Sequence, residues 1–358
     1  MTGLIINGRF LTQRPSGVQR YARELLQAWG SGAGKSSKMN VMSPKAALFD
    51  ASPLPGPFKV QQAGRLSGHA WEQIELRTQC ADAGLINLCN TAPIEHENQL
   101  VVIHDAAVWR QPEAYGWRFR TLYRRLLPAI ARRSRRLATV SEFSARELRD
   151  VMGVGHRKID IIPNGGDHIL RHPSDPAVLE TYGLERGRYL FAIGNSNSQK
   201  NLPFLKHLGS LLAEHKLQLV VAGGQLAHVF AAHERIEQPN VRHLGYVTDA
   251  SLRALYEGAM ALVFPSLYEG FGIPPLEAMF CGCPVLASNV ASIPEVCGGA
   301  AAYFDPVDPD SLIKSTKRVL ESAAWRDELR LAGLERARGY TWAKAADALN
   351  VTMNSMAA

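Results

Sequence analysis

Cysteine and long apolar runs are scarce in this sequence of 358 residues. Its five cysteines are an odd number at scattered positions, which indicates buried thiols in a reducing compartment and no disulfide framework. No apolar run approaches the ~20 residues that a membrane-spanning helix needs, and the first residues lack the basic and apolar pattern of a secretory signal. With 46% apolar and 20% charged residues, the composition predicts a globular cytoplasmic protein of two domains.

The motifs of several cofactor sites are absent or misplaced. No G-x-G-x-x-G follows a predicted strand, so the fingerprint of nicotinamide binding is missing. The segment GSGAGKSS at 30–37 resembles a phosphate-binding loop, but its first glycine stands one position away from the required spacing. Neither Cys281 and Cys283 nor the other His, Cys and acidic residues have the spacing of a metal site. We therefore expect no metal and no tightly bound cofactor.

Positive charge is concentrated in the first half of the chain. Residues 1–180 hold 24 Lys and Arg against 16 Asp and Glu, whereas the remainder holds 16 and 17. The excess peaks in the segment Arg118–Arg136, where eight arginines and no acidic residue accompany leucines at helical spacing. Three partners fit such a segment: solvent alone, an anionic membrane surface, or nucleic acid. Interleaved aromatic residues favour the inner membrane surface, and no nucleic-acid-binding module accompanies them.

Strand-like and helical segments alternate along the chain, which predicts α/β domains with doubly wound parallel sheets. Helical spacing predicts helices such as 201–215, and residues 30–70, rich in Gly, Ser and Pro, predict loops with weak strands. The pattern pauses in a polar stretch at 171–187 and then starts again, so we expect two Rossmann-like domains facing across a cleft. Ligands bind at the carboxyl ends of parallel strands. The candidate residues that follow such ends are Gly17, His104, Asp105, Asn164, Gly165, Lys200 and Glu269.

The segment EGFGIPPLE at 269–277 joins a predicted strand to a predicted helix. Gly270 and Gly272 let a ligand approach the backbone, and the start of a helix favours anions. Glu269 and Glu277 do not suit a bare phosphate, but carboxylates accept hydrogen bonds from hydroxyl groups. The segment therefore predicts a ligand that carries both phosphate and hydroxyls. Each glutamate also fits a plain role, as a surface loop acid or as a partner of the helix dipole.

The same segment, extended to EGFGIPPLEAMFCGCPVLAS, resembles the donor-binding signature of retaining GT-B glycosyltransferases of glycosyltransferase family 4. Further segments resemble the family in order along almost the whole chain: PSGVQRYARELL, VVIHDAAV, TVSEFSARELRD, IIPNGGD and the terminal YTWAKAADAL. The resemblance implies an acceptor-binding domain of residues 1–170 plus a last helix at about 340–358. It also implies a nucleotide-sugar-binding domain of residues 171–339.

The resemblance implies roles for individual residues. Glu269 would accept hydrogen bonds from the donor sugar, Glu277 would hold the ribose hydroxyls, and Lys200 would neutralise the departing diphosphate. His104 would lie near the anomeric centre or the sugar's 6-position, with a buried core histidine as the alternative. The expected catalytic residues are His104, Lys200 and Glu269. The expected donor-binding residues are Gly17, Asn164, Gly194, Gln199, Lys200, Glu269, Gly270, Phe271, Gly272, Ile273, Leu276 and Glu277.

One loop departs from the family pattern. After the first strand of the second domain the sequence reads GNSNSQKN, so Asn195 and Gln199 stand where many relatives carry a cation. A neutral amide donates a hydrogen bond without supplying charge. Either a cation from another part of the chain, such as the Arg-rich first domain, replaces the missing loop cation, or the enzyme turns over more slowly.

The resemblance implies a retaining enzyme that moves a hexose from a nucleotide-diphosphate sugar to a lipid-linked or polysaccharide acceptor in cell-surface polysaccharide assembly, with a lean to GDP-mannose as donor. Such an enzyme would work in the cytoplasm, docked on the inner face of the membrane. The alternatives are a GT-B nucleotide-sugar epimerase or phosphorylase, or a sugar-nucleotide-binding protein without catalysis.

Overall fold

The computed structural model describes residues 3–32, 39–48, 54–81, 83–155, 158–195, 197–224 and 236–357. The chain forms two compact units, which are described separately below. Unit 1 comprises Met1–Trp109, Arg118–Gly165 and Trp342–Ala358, and unit 2 comprises Arg110–Trp117 and Gly166–Thr341.

Unit 1 is built on a seven-stranded sheet in which every pair of neighbouring strands is parallel. Its strands are β1 (Leu4–Asn7), β2 (Met39–Ser43), β3 (Phe58–Gln62), β4 (Gly84–Asn87), β5 (Gln99–Val102), β6 (Arg136–Thr139) and β7 (Ile159–Ile161). Their spatial order is β3-β2-β1-β4-β5-β6-β7. The order changes direction between β1 and β4, and such a switch point opens a crevice at the carboxyl ends of the two strands.

Unit 2 is built on a second parallel sheet, of six strands. Its strands are β8 (Tyr189–Ile193), β9 (Gln218–Ala222), β10 (Val241–Gly245), β11 (Ala261–Phe264), β12 (Val285–Ser288) and β13 (Ala302–Phe304). The spatial order β10-β9-β8-β11-β12-β13 places the switch point between β8 and β11.

Helices lie in most of the described connections between strands, because parallel neighbours need crossover connections; the connection from β4 to β5 has no helix. In the described part of the chain, the helices of eight or more residues are α1 (Gly17–Ser31), α2 (Trp117–Arg133), α3 (Glu142–Met152), α4 (Asp249–Gly258), α5 (Ile273–Phe280), α6 (Pro309–Glu321), α7 (Ala323–Ala337) and α8 (Trp342–Ala357). Shorter α-helices span Gly68–Ala70, Arg77–Gln79, Ala107–Arg110, Ala177–Thr181, Gly209–Glu214 and Ile293–Cys297. A π-helix spans Trp71–Leu76, and 3-10 helices span Arg9–Thr12, Pro112–Ala114, Asp167–Leu170, Ser198–Lys200, Leu202–Leu208 and Gly298–Ala300. None of the helices described combines the length and the apolar character needed to cross a membrane.

The predicted class of two doubly wound α/β domains is confirmed by the two parallel sheets. All four residues of β5 and all four of β11 are buried. This burial explains why apolar runs identified the central strands, since helices cover both faces of a parallel sheet. The Arg-rich segment is helical over α2, as its leucine spacing indicated.

The segment 201–215 differs from its prediction as a single helix. Residues 202–208 form a 3-10 helix, and an α-helix follows only at Gly209–Glu214. Asn201, with φ 50°, is in the left-handed region, and Pro203 stands in the first turn. Because proline lacks an N–H and fixes its own φ, this start does not lead directly into an α-helix.

The last helix, α8, belongs to unit 1. Trp342 is 2% exposed, and its ring centroid lies 5.9 Å from that of Tyr21 on α1. Near the other end of α8, Arg136 Nη2 donates a hydrogen bond of 2.9 Å to the carbonyl oxygen of Ser355. The final residues of the chain therefore complete the core that begins at β1.

Removal of the Trp342 side chain tests this packing. We expect Trp342→Ala to lower the free energy of unfolding by about 3–5 kcal/mol, because it leaves a large cavity against α1. Val351→Ala on the same helix is the matched control; Val351 is 70% exposed, and its change should stay within about 0.5 kcal/mol. Denaturant unfolding measures both, and equal small losses would contradict the assignment of α8 to the core of unit 1.

Candidate active site

A lysine and a glutamate meet at the switch point of unit 2. Lys200 ends the short helix that follows β8, and Glu269 lies in the loop that follows β11. Lys200 Nζ donates to Glu269 Oε1 at 2.6 Å, and the two side chains are 22% and 14% exposed. The pair is therefore largely shielded yet still reachable, as a binding site at a switch point requires.

The loop after β8 is braced by its own amides. Asn197 Oδ1 accepts a hydrogen bond from the backbone N–H of Gln199, and Asn197 Nδ2 donates to Gln199 Oε1 at 3.3 Å. Gln199 is only 7% exposed, and its carbonyl oxygen accepts from Leu267 N at 2.8 Å. Gln199 thus ties the loop after β8 to the loop after β11, beside the Lys200–Glu269 pair.

Two glycines allow the loops after β8 and β9 to approach closely. A Cβ added to Gly223, which has φ +130°, would lie only 1.8 Å from the carbonyl oxygen of Gly194. A side chain at this position is therefore excluded both by the backbone conformation and by the neighbouring peptide. Gly194, predicted as a donor-binding residue, lies at this contact.

The loop after β11 leads into the N-terminus of α5. Gly272, with φ 103°, is in the left-handed region directly before the helix. The single O–H donor of Ser292 lies within 2.9 Å of two carbonyl oxygens, those of Glu269 and Phe271. The first helical turn holds Pro274 and Pro275, which have no N–H. Ile273 therefore supplies a first-turn N–H outside the helical hydrogen bonds, at an end of the helix that favours anions, whereas the N–H of Leu276 is the first that the helix itself uses.

Glu277 lies in the interior of unit 2. It is 4% exposed, and its two oxygens accept hydrogen bonds from His168 Nε2 at 2.8 Å and from the Tyr256 hydroxyl at 3.0 Å. Burial, with the carboxylate of Glu277 beside it, raises the pKa of Tyr256 well above its usual range, so the hydroxyl keeps its proton and donates it. Sequence reasoning missed both partners of Glu277; for His168 the available signal was its place two residues after the NGG segment at 164–166.

His104 follows β5 in unit 1 and is 6% exposed. Its Nε2 donates to the Leu88 carbonyl at 2.9 Å, which leaves Nδ1 as the acceptor of a neutral imidazole. Burial lowers the pKa of His104 to about 4, more than the Leu88 bond raises it. The ring also packs edge-on against Tyr21, with centroids 4.6 Å apart. His104 is therefore a neutral acceptor near neutral pH.

The other predicted residues of unit 1 lie at the same edge of its sheet. Gly17 is the first residue of α1, one turn before Tyr21, and an added Cβ would meet no described atom within 4 Å. Asn164 follows β7 and is 3% exposed. Asp105 Oδ1 accepts from the Ala107 N–H at 2.8 Å, so it supports the start of a short helix.

A polar cluster at the switch point of unit 1 was not predicted. It contains Asn7, Arg9, His69, Glu72 and Thr91, joined by hydrogen bonds. The available signal was the pair of asparagines that end two apolar strands, β1 and β4. Glu72 itself carried no motif.

The cysteines and acidic residues form no cation site in the described residues: no group of three or more His, Cys, Asp or Glu is placed to hold a metal ion. The five cysteines are free thiols, and burial raises the pKa of Cys283 to about 12. Cys80, Cys283 and Cys297 are buried as predicted, whereas Cys89 and Cys281 are half-buried. Independence from metal stays a prediction.

Comparison with known proteins identifies the fold and the family. The protein-family model described as "Glycosyl transferases group 1" matches residues 187–322 of this sequence. The family model described as "Glycosyltransferase Family 4" matches residues 95–170. O-antigen chain mannosyltransferase B of Escherichia coli is 32% identical over 261 residues, which cover 70% of this chain and 68% of that protein. The serotype-specific mannosyltransferase WbdA of Escherichia coli is 34% identical over 167 residues, 44% of this chain but only 20% of that longer protein. Sucrose-phosphate synthase from Thermosynechococcus elongatus matches with a TM-score of 0.76 and 18% identity, over 99% of both chains.

Two parallel α/β units of this topology define the GT-B class of glycosyltransferases. Within that class, the chain belongs to glycosyltransferase family 4, the glycosyl transferases of group 1, and is a transferase enzyme.

The protonation state of His104 is directly testable. With a folded pKa of about 4, below the ~6.5 of an unfolded chain, folding favours the neutral ring. Its contribution to stability is complete above pH 6.5 and is lost as the pH falls towards 4. We expect the ring NMR signals of His104, assigned by their absence in His104→Gln, to show neutral imidazole down to about pH 5. A midpoint near 6.5 would refute the buried, neutral state.

Proposed function

We propose that this enzyme is a retaining glycosyltransferase that moves a hexose from a nucleotide-diphosphate sugar to a lipid-linked or polysaccharide acceptor. The observation that carries the proposal is the Lys200–Glu269 pair at the switch point of unit 2. A nucleotide sugar offers a new partner to each member, since its diphosphate is anionic and its sugar carries hydroxyl donors. The names of the mannosyltransferase relatives support a mannose donor, with GDP-mannose as the first choice.

The chemistry follows from the charge that develops when the bond between sugar and phosphate breaks. Lys200 stabilises the negative charge on the leaving diphosphate, and the N–H group of Ile273 adds a donor at the start of α5. Glu269 accepts from a donor-sugar hydroxyl and so fixes the ring. Glu277, held by His168 and Tyr256, is the carboxylate proposed to accept hydrogen bonds from the ribose hydroxyls.

Retention of configuration is proposed to proceed by displacement on one face of the sugar. The leaving phosphate takes the proton of the attacking acceptor hydroxyl, so that no carboxylate nucleophile is needed. His104 is neutral and presents Nδ1 as an acceptor, which fits a hydrogen bond from a sugar hydroxyl better than stabilisation of negative charge. No metal ion takes part in this proposal.

Removal of either member of the pair tests the proposal. We expect Lys200→Ala and Glu269→Ala each to lower transfer from GDP-mannose to octyl α-D-mannopyranoside at least ~100-fold, the scale of losing one preorganised transition-state group. Mass spectrometry of the product measures the transfer. Lys206→Ala is the matched control, because Lys206 is exposed on the next helix.

A donor panel read by thermal unfolding separates the remaining functions. A free donor concentration of 100 times the Kd should raise the free energy of unfolding by about 2.7 kcal/mol. GDP-mannose that stabilises but is never transferred would instead support a binding protein, and its consumption without an acceptor would support an epimerase or phosphorylase. Full transfer by both alanine variants would refute the roles given to the pair.

We further propose that α2 docks the enzyme on the inner face of an anionic membrane. Arg125, Arg132 and Arg133 are exposed and lie on one side of the helix together with Leu122, which is 48% exposed. An exposed apolar side chain among cations suits the interface of an anionic bilayer. The segment Arg118–Arg136 carries no acidic residue to oppose this attraction.

Vesicle co-sedimentation tests the docking surface. We expect binding to vesicles that contain anionic lipid, a decline as salt rises, and at least a ~10-fold loss in the triple variant Arg125→Gln, Arg132→Gln, Arg133→Gln. Each neutralised residue removes about 1 kcal/mol of attraction. Lys317→Gln on α6, 54% exposed, controls for a general loss of charge. Equal binding to neutral vesicles would count against the proposal.

A further inference from the structure

Both oxygens of Glu277 are held by donors from other segments of unit 2. His168 lies on the 3-10 helix Asp167–Leu170, and its Nε2 is 2.8 Å from Glu277 Oε1. Tyr256 lies on α4, and its hydroxyl is 3.0 Å from Glu277 Oε2. Glu277 itself belongs to α5. Three segments that are distant in the chain therefore converge on one carboxylate.

The direction of both hydrogen bonds follows from the chemistry of the partners. Because an ionised carboxylate only accepts, the His168 nitrogen that faces Glu277 carries a proton. Burial, and then the Glu277 carboxylate beside it, raises the pKa of Tyr256 well above its usual range, so the Tyr256 hydroxyl also donates. Hydrogen bonds to an ionised group are roughly twice as strong as those between neutral groups. The two donors therefore fix the orientation of the carboxylate.

The 3-10 helix that carries His168 is pressed against α5 at its beginning. Gly166, the residue directly before this helix, has no side chain, and an added Cβ would lie 2.7 Å from Leu276 Cγ and 2.8 Å from Phe280 Cδ2. Both of these contacts are on α5, the helix of Glu277. The absence of a side chain at Gly166 thus brings the backbone close enough for His168 to reach the carboxylate.

The other end of the same 3-10 helix is held by α4. Arg253 Nη1 donates to the carbonyl oxygens of Leu170 at 3.2 Å and of His172 at 3.0 Å. Arg253 is itself fixed by Glu257, whose Oε1 lies 2.7 Å from Arg253 Nε. The backbone on both sides of His168 is therefore anchored to the two helices that supply Tyr256 and Glu277.

The place of Glu277 on α5 suits contact with a ribose. Glu277 comes four residues after Ile273, whose N–H is proposed to meet the diphosphate, which is roughly 6 Å along the helix axis. In a nucleotide sugar the ribose is joined directly to the diphosphate, so its hydroxyls lie within that reach. The side chain of Glu277 is still 5% exposed, whereas that of His168 is 1% exposed.

We propose that His168 and Tyr256 are positioning residues that aim Glu277 at the ribose hydroxyls, so that the enzyme selects ribonucleotide over deoxyribonucleotide donors. The proposal rests on the glycosyltransferase function proposed above. A carboxylate that is already oriented accepts the ribose hydroxyls without rearrangement, whereas a carboxylate with one donor removed turns away from them. His168 and Tyr256 thus act through Glu277.

The affinities for GDP and for 2′,3′-dideoxy-GDP, which lacks both ribose hydroxyls, test this selection. Isothermal titration calorimetry at pH 7 measures both. We expect the wild type to bind GDP at least ~10-fold more tightly, the scale of one hydrogen bond to a charged group. Tyr256→Phe keeps the ring, whose centroid lies 5.3 Å from that of Phe191, and removes only the hydroxyl. We expect this variant to lower the ratio of the two affinities at least ~3-fold.

Two variants of His168 separate its hydrogen bond from its volume. His168→Phe fills the space but has no donor, so it should lower the same ratio at least ~3-fold. His168→Gln offers an amide N–H in place of the ring N–H and should restore most of the wild-type ratio. A ratio in His168→Gln as low as that in His168→Phe would overturn the role of the His168 hydrogen bond.

Tyr189→Phe is the matched control for the loss of a buried hydroxyl. Tyr189 is 1% exposed, and its hydroxyl donates to the carbonyl oxygen of Leu255 on α4 at 2.7 Å. Tyr189→Phe should lose stability on the same scale as Tyr256→Phe in denaturant unfolding. Because the Tyr189 hydroxyl bonds a backbone carbonyl instead of Glu277, its ratio of affinities should equal that of the wild type.

The positioning role and the proposed function fail in different ways. A wild type that transfers mannose but binds both nucleotides equally, or an unchanged ratio in both Tyr256→Phe and His168→Phe, would overturn the positioning role alone. A wild type that prefers GDP but transfers no sugar from any donor would overturn the proposed function alone.

Discussion

Parallel pairing of every strand is the constraint on which both units depend. A parallel strand cannot return by a tight turn, so each strand is followed by a crossover and all the loops at its carboxyl end leave from one edge of the sheet. The change of direction between β1 and β4, and again between β8 and β11, separates two neighbouring loops at that edge. The polar residues that such loops carry meet there because the apolar interior of the sheet has no place for them.

In each unit the switch point carries a cation beside a carboxylate. Lys200 and Glu269 are 2.6 Å apart in unit 2, and Arg9 and Glu72 are 3.6 Å apart in unit 1. An isolated buried charge would be costly, whereas a pair is tolerated. The pair of unit 2, which is still partly exposed, suits ligands rich in hydroxyl groups, since the carboxylate accepts and the cation orients. A site for phosphate alone would instead collect cations.

Local sequence patterns were sufficient to predict the central strands and the site residues that directly follow them. Apolar runs identified β5 and β11 because both are buried on two faces, and Lys200 and Glu269 stood out because each follows such a strand. Gly272 stood out as a position where a ligand can approach the backbone, and the structure has it in the left-handed region directly before α5.

The remaining residues could not be predicted, because their roles come from contacts distant in the chain. His168 meets Glu277 across 109 residues and Asn7 meets Glu72 across 65, and no periodicity marks either pair. Glu72 also lies on a π-helix, which has no simple apolar repeat. The segment 201–215 had helical spacing, but the left-handed Asn201 and the following Pro203 impose a 3-10 turn.

Because α8 belongs to unit 1, that unit cannot be completed until unit 2 has been synthesised. All of unit 2, up to Thr341, leaves the ribosome before Trp342 can cover Tyr21. At typical synthesis rates, residues 166–341 take about 10–35 s to be synthesised. During that time the face of α1 that α8 covers remains exposed to solvent. The unit whose synthesis begins first is thus the last to be completed, and its uncovered apolar surface is open to aggregation during translation.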